Sequence, residues 1–185
     1  SMTQLTKNKW IDFNPTISKD GSKLAFISDR DGNREIYITD LIWMDGYTQW
    51  QGQNLTNITV SSQNDWTPRF SPVEDKIIFT TYFPDNDNYD VFIMNSDGSN
   101  KINLTNTKFY EKYPQFSPDG SFIIYQAWQK GKMEIFFLNI LEKNKINLTR
   151  NVLSHDIISH GTNSQFSLLG LAMNSHHCIS LSFWC

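Results

Sequence analysis

The chain has 185 residues, of which 39% are apolar, 14% aromatic and 19% charged; that is enough for one domain with a sizeable core, and too apolar for a disordered, charge-rich polymer. The net charge of −3 is interspersed with no Lys/Arg block, which excludes the clustered cations that a nucleic-acid partner requires. No apolar run approaches the ~18–20 residues that span a bilayer, and no basic region followed by an apolar stretch opens the chain, so neither a membrane span nor a signal peptide is expected.

Taken in chain order, the pattern begins at Leu5-Thr6. The stretch from Asn14-Pro15 to Ser18 is expected to be extended, because proline steers its predecessor away from helix, and Asp20-Gly21 marks a tight turn. The apolar run Lys23-Leu24-Ala25-Phe26-Ile27 reads as a second strand, the polar Asp29-Arg30-Asp31-Gly32-Asn33 as a turn, and Glu35-Ile36-Tyr37-Ile38 as a third strand. A closing strand then ends in Leu55-Thr56.

The same series returns twice. Thr67-Pro68-Arg69-Phe70-Ser71-Pro72 precedes Lys76-Ile77-Ile78-Phe79-Thr80, the turn Asp85-Asn86-Asp87-Asn88 and Asp90-Val91-Phe92-Ile93-Met94. Ser96-Asp97-Gly98-Ser99 then turns into a strand ending in Leu104-Thr105. Tyr113-Pro114-Gln115-Phe116-Ser117-Pro118-Asp119-Gly120 opens the third unit, which carries Glu134-Ile135-Phe136-Phe137-Leu138 and ends in Leu148-Thr149. The Leu-Thr spacings are 50, 49 and 44 residues. Repeats are therefore placed at about 7–56, 57–105 and 106–149 within a single domain, 1–185. Residues 150–185 read as a degenerate partial unit, because Leu168-Leu169-Gly170 stands where Pro-Asp-Gly belongs.

A four-stranded unit of roughly 40–50 residues with such turns is the signature of a β-propeller blade. The expected fold is all-β, with four-stranded antiparallel blades, three clear and a fourth degenerate or truncated. The phrases Ser28-Asp29-Arg30-Asp31-Gly32 and Phe116-Ser117-Pro118-Asp119-Gly120 resemble the TolB-like repeat, a relative of WD-repeat propellers. That resemblance covers residues 5–149 and implies a non-catalytic scaffold for protein or peptide partners in a bacterial envelope, periplasmic if the resemblance holds and cytoplasmic otherwise. Similar propellers also occur as gating domains of prolyl-oligopeptidase-like peptidases and in some polysaccharide lyases, which is the alternative reading. A decayed fragment of a larger propeller is a third.

The acidic turn Asp85–Asp90 lacks the Gly and Glu of a calcium loop, so it reads as a solvated turn and no metal is expected. The histidines, His155, His160, His176 and His177, show no metal-binding helical spacing, and there is no Gly-x-Ser-x-Gly turn, so no catalytic residue and no cofactor are expected. His155-Asp156 reads as a surface pair. Cys178 and Cys185 read as incidental thiols, though a disulfide would close a small tail loop. Four sequons, at Asn54, Asn57, Asn103 and Asn147, read as by-products of the repeat.

The segments entering each blade carry aromatics beside carboxylates and amides: Trp10, Asp12 and Asn14; Asn64, Asp65 and Trp66; Tyr110, Glu111 and Tyr113. In a propeller these converge on one mouth of the channel. A binding surface built from Trp10, Asp12, Asn64, Asp65, Trp66, Glu111 and Tyr113 is expected, since aromatics lead among hot-spot residues. The competing reading packs the tryptophans and Tyr113 between blades. Open rows of blades leave apolar end faces, so closure by self-association, as a homodimer, is also expected.

Overall fold

A computed structural model of the chain describes residues 4–44 and 49–149. The degenerate fourth unit, all four histidines and both cysteines lie outside the described residues. Among the described residues twelve strands run β1 Asp12–Ile17, β2 Lys23–Ser28, β3 Glu35–Met44, β4 Gln49–Asn57, β5 Asn64–Phe70, β6 Lys76–Phe83, β7 Asn88–Asn95, β8 Ile102–Asn103, β9 Tyr110–Phe116, β10 Phe122–Gln129, β11 Lys132–Asn139 and β12 Lys145–Asn147.

The architecture is all-β, with antiparallel pairing inside each group of four. Strands β1-β2-β3-β4 form one sheet, and the other eight strands form a second. Within that second sheet, β5–β8 and β9–β12 are two further blades. They are joined by a single parallel bridge, Tyr89 to Tyr110. One bridge is a seam between two blades, and the side chains rather than the ladder hold it.

Buried residues run without a break along Leu24–Ser28 of β2 and Ile77–Thr81 of β6, and Phe122–Ala127 of β10 alternates between partly and fully buried residues, so each blade covers both faces. One cluster lies between the first and second blades, with Ala25, Ile36, Ile38 and Ile58 facing Ile77, Phe79 and Met94. A second lies between the second and third, with Ile78, Val91 and Ile93 facing Ile123, Tyr125, Ala127 and Leu138. Residues two apart on a strand share a face, so Ile77 and Phe79 look one way and Ile78 the other.

Each blade is locked by an acid near the start of its third strand and an Asn-x-Thr whose asparagine ends the fourth. In the third blade Asn147 donates to Glu134, and in the second Asn103 Nδ2 donates to Asp90 at 2.8 Å. The threonine hydroxyl accepts the backbone N–H beside the acid: Ile36 to Thr59 at 2.9 Å, Val91 to Thr105 at 2.9 Å and Ile135 to Thr149 at 3.2 Å. The asparagine Oδ1 in turn accepts the amide of the threonine, at 3.1, 3.0 and 3.0 Å. This Asx-type turn sets the next described residue, Val60 or Asn106, in the left-handed region.

Two expectations need correction. The motif of the first blade is Asn57-Ile58-Thr59, not Leu55-Thr56: Ile58 is 5% exposed and part of the core, whereas Leu55 is 46% exposed. The cause is an extension of the β3–β4 hairpin, paired out to Met44 and Gln49, which lengthens the first unit. The residue before each repeat proline is also not in the extended region. Asn14, Thr67 and Tyr113 have φ of 51, 50 and 56°.

Candidate functional site

The inner strands meet side by side, β1 against β5 and β5 against β9. Each is bulged at its proline. The register slips between Phe13 and Thr16 on β1, between Trp66 and Arg69 on β5, and opposite Ile124–Gln126 on β9. A bulge with one left-handed residue satisfies both constraints: proline keeps its fixed φ, and its predecessor leaves the ladder. For a β-branched residue this conformation costs about 1–2 kcal/mol. Thr67 recovers part of that cost through a 3.1 Å hydroxyl contact with Thr80.

The three bulges turn side chains toward one cleft of about 300 Å³, lined by Asn14, Trp66, Thr67, Thr80, Tyr89, Lys112 and Tyr113. Two cations stand over its aromatic rings. The Arg34 guanidinium lies 4.2 Å from the Trp66 ring centre, and the Lys112 ammonium lies 3.8 Å from that of Tyr89. Trp66 also meets Phe13 edge to face at 6.0 Å. Burial holds Lys112 below the ordinary lysine range, against the opposing charge of Asp87. Among the described residues neither Arg34 nor Lys112 takes part in an ion pair. The buried Trp66 Nε1 has no hydrogen-bond partner among them.

The cleft gathers part of the expected set. Trp66 and Tyr113 line it, and Tyr113 is 55% exposed. Trp10 is 41% exposed on the first blade, where it meets Arg30 at 5.4 Å rather than the cleft. Asp12 binds Arg30 at 3.2 Å and Asn8 at 2.7 Å. Burial works against its charge, but hydrogen bonds from Asn8, Ser28, Arg30 and Thr6 outweigh it and leave the carboxyl below its usual range.

Asn64, Asp65 and Glu111 belong to the framework. Asn64 Oδ1 caps the Arg34 amide at 2.9 Å. Asp65 is 0% and Glu111 2% exposed, so neither presents a carboxylate to a partner. The alternation of the first strands points them between blades, and the segments read as connections are already strand from Asp12, Asn64 and Tyr110 onward. Burial pushes Asp65 up to about 6, with the Thr81 hydroxyl at 2.6 Å pulling the other way. Burial likewise pushes Glu111 up to about 7.

Sequence reasoning missed Arg34, Tyr89 and Lys112. A usable signal was present: Arg34 and Tyr89 each precede the acid of a third strand, and Trp66 and Lys112 each follow the acid of a first strand. The acidic turn is a tyrosine clamp. Asp87 accepts the Tyr82 hydroxyl at 3.0 Å and that of Tyr110, which draws its carboxyl below the usual range. Among the described residues no group of three His, Cys, Asp or Glu side chains is placed to hold a metal ion.

Twisted four-stranded blades that pack face to face, with their first strands bulged toward a shared cleft, define a β-propeller repeat protein. A family model described as the TolB beta propeller domain matches residues 1–157. The chain belongs to that family. It is 30% identical over 140 residues to a TolB homolog of Chlorobium luteolum, covering 76% of this chain and 29% of that protein. To the Tol-Pal system protein TolB of Gluconobacter oxydans it is 28% identical, covering 70% and 27%. The crystal structure of TolB from Acinetobacter baumannii superposes with a TM-score of 0.61 at 23% identity, over 78% of this chain and 34% of that one. The chain thus spans about a third or less of the length of these relatives.

Proposed function

We propose that the chain is a binding module without chemistry of its own, which takes an acidic protein segment in the cleft between its inner strands. The observation that carries this reading is the pair of cations, Arg34 and Lys112, held on aromatic faces beside an exposed Tyr113, with no ion pair to a carboxylate among the described residues. A carboxylate entering the cleft would meet both cations, and an apolar side chain would meet Trp66 and Tyr113. The enzyme-domain reading rests on fold alone, and no described residue set in the cleft favours it.

The test is a titration of the protein with two short peptides, one of alternating Asp and Phe and one of alternating Lys and Phe, read by tryptophan fluorescence. The acidic peptide should bind, and Lys112→Ala and Tyr113→Ala should each weaken it about tenfold, since truncating a hot-spot side chain removes roughly 1–2 kcal/mol of binding; the melting temperature should change little for the exposed Tyr113. Equal binding of the two peptides would overturn the reading.

We also propose that the chain self-associates. The face of the third blade turned away from the second carries Phe122 and Phe137, whose ring centres are 4.6 Å apart, with Trp128 47% and Met133 45% exposed. Light scattering at micromolar concentration should give a dimer; a mass near 21.5 kDa would refute this.

A further inference from the structure

Each blade sets a carboxylate of its first strand opposite one residue of its second, and the three blades differ at that partner. Asp12 faces Ser28, Asp65 faces Thr81 and Glu111 faces Ala127. In the second blade both oxygens are served: Oδ1 accepts the Thr81 hydroxyl at 2.6 Å and Oδ2 accepts that of Ser61 at 3.2 Å. In the third blade the methyl of Ala127, 1% exposed, cannot donate, and Glu111 Oε2 is buried with no hydrogen-bond partner among the described residues. An unpaired carboxylate oxygen in a dry interface is far costlier than an unpaired carboxylic acid.

Glu111 also sits at the junction of the second and third blades. The backbone joins the second and third blades by the one bridge between Tyr89 and Tyr110, and Tyr110 is the residue before Glu111. The charged groups acting on Glu111 are Asp90 on β7, which opposes its ionisation, and Lys145 on β12, which favours it. On β10 the Tyr125 phenol is held neutral chiefly by burial and secondarily by the charge of Glu111. Lys145 is already engaged, donating to the Thr105 carbonyl at 2.7 Å. The hydroxyls of Thr105 and Thr107 favour the charge as well, but leave Oε2 unserved.

We infer that the junction between the second and third blades is a pH-sensitive joint, closed while Glu111 carries its proton and loosened when Glu111 ionises. An acid that holds its proton more tightly folded than unfolded favours the folded form at low pH. That contribution is complete below about 4.5, the ordinary value, and is lost as the pH rises through about 7. The joint therefore opens toward neutral and alkaline pH, the reverse of the direction set by the surface carboxylates Asp31, Asp40 and Asp87, which hydrogen bonds hold below their usual range.

The test is amide hydrogen exchange on the full chain at pH 5.5 and pH 8, corrected for the intrinsic rate. Protection of Tyr89–Val91 and of residues 105–112 should fall about tenfold or more across that interval, one pH unit of differential proton affinity being a tenfold change. Glu111→Gln, which cannot ionise, should show no such fall. Ala127→Ser, which supplies the missing donor, should regain about tenfold protection at pH 8. A fall of equal size in Glu111→Gln overturns the inference. Should that variant not fold, Ala127→Ser decides: no gain in protection at pH 8 overturns it equally.

Discussion

Thr59→Val is expected to destabilise the protein by about 3 kcal/mol, because it orphans a buried amide and removes a donor from a buried carboxylate at constant side-chain shape. The Thr59 hydroxyl accepts the Ile36 N–H at 2.9 Å and donates to Glu35, and all three residues are buried, at 5%, 0% and 2% exposure. Glu35 keeps the Ser61 amide at 2.9 Å and the Asn33 side chain at 3.0 Å, so one of its donors is lost and the carboxylate is not stripped. Thr149→Val is the internal control. It removes the same bond from Ile135, but in an exposed setting where water replaces it, so the cost should stay below about 1 kcal/mol. Urea unfolding of the three proteins gives both numbers. Equal losses in the two variants would show that the motif acts through turn geometry and not through its buried hydroxyl.

Phe79→Ala should cost about 3–5 kcal/mol, the range for truncating a large aromatic where the surroundings cannot collapse. Phe79 is 0% exposed and stacks on Phe92 with ring centres 5.6 Å apart. It belongs to the cluster shared by the first and second blades, so its loss leaves a void between two sheets that are each rigid in themselves. Trp66→Ala is a useful comparison: it is larger, yet only half-buried and facing the cleft, and its removal should cost less than that of Phe79. Thermal unfolding of the two variants ranks them, and a greater loss at Trp66 would make that ring a packing residue and not part of a binding surface.

The strands were legible where chemistry is local. Glu35-Ile36-Tyr37-Ile38 and Asp90-Val91-Phe92-Ile93-Met94 show β-branched and aromatic alternation that only a strand buries, and both are strands in the structure. Asp20-Gly21 and Asp119-Gly120 place glycine where φ is 74° and 71°. The first closing motif was misassigned because a dipeptide was matched without its partner. Thr6, Thr59 and Thr105 each stand six residues before Asp12, Asp65 and Glu111, a constancy that Thr56 breaks. The burial of Asp65 and Glu111 was not legible, since it depends on which neighbouring blade covers them. Aromatics beside carboxylates look the same in sequence whether the acid faces water or a hydroxyl from the next strand.

The cation and its aromatic ring change places from one junction to the next. Between the first and second blades the cation, Arg34, stands at the third strand of one blade and the ring, Trp66, on the first strand of the next; between the second and third the ring, Tyr89, holds the third-strand place and the cation, Lys112, the first-strand place. The blades are consequently not interchangeable. Setting the third directly after the first would lay Lys112 under Arg34, two like charges in a partly dry contact. Setting a copy of the second after itself would lay Tyr89 on Trp66 with no cation between them. Repeats that arise by copying are free to recombine in any arrangement, and this chain carries its own arrangement as a two-letter code written at the seams.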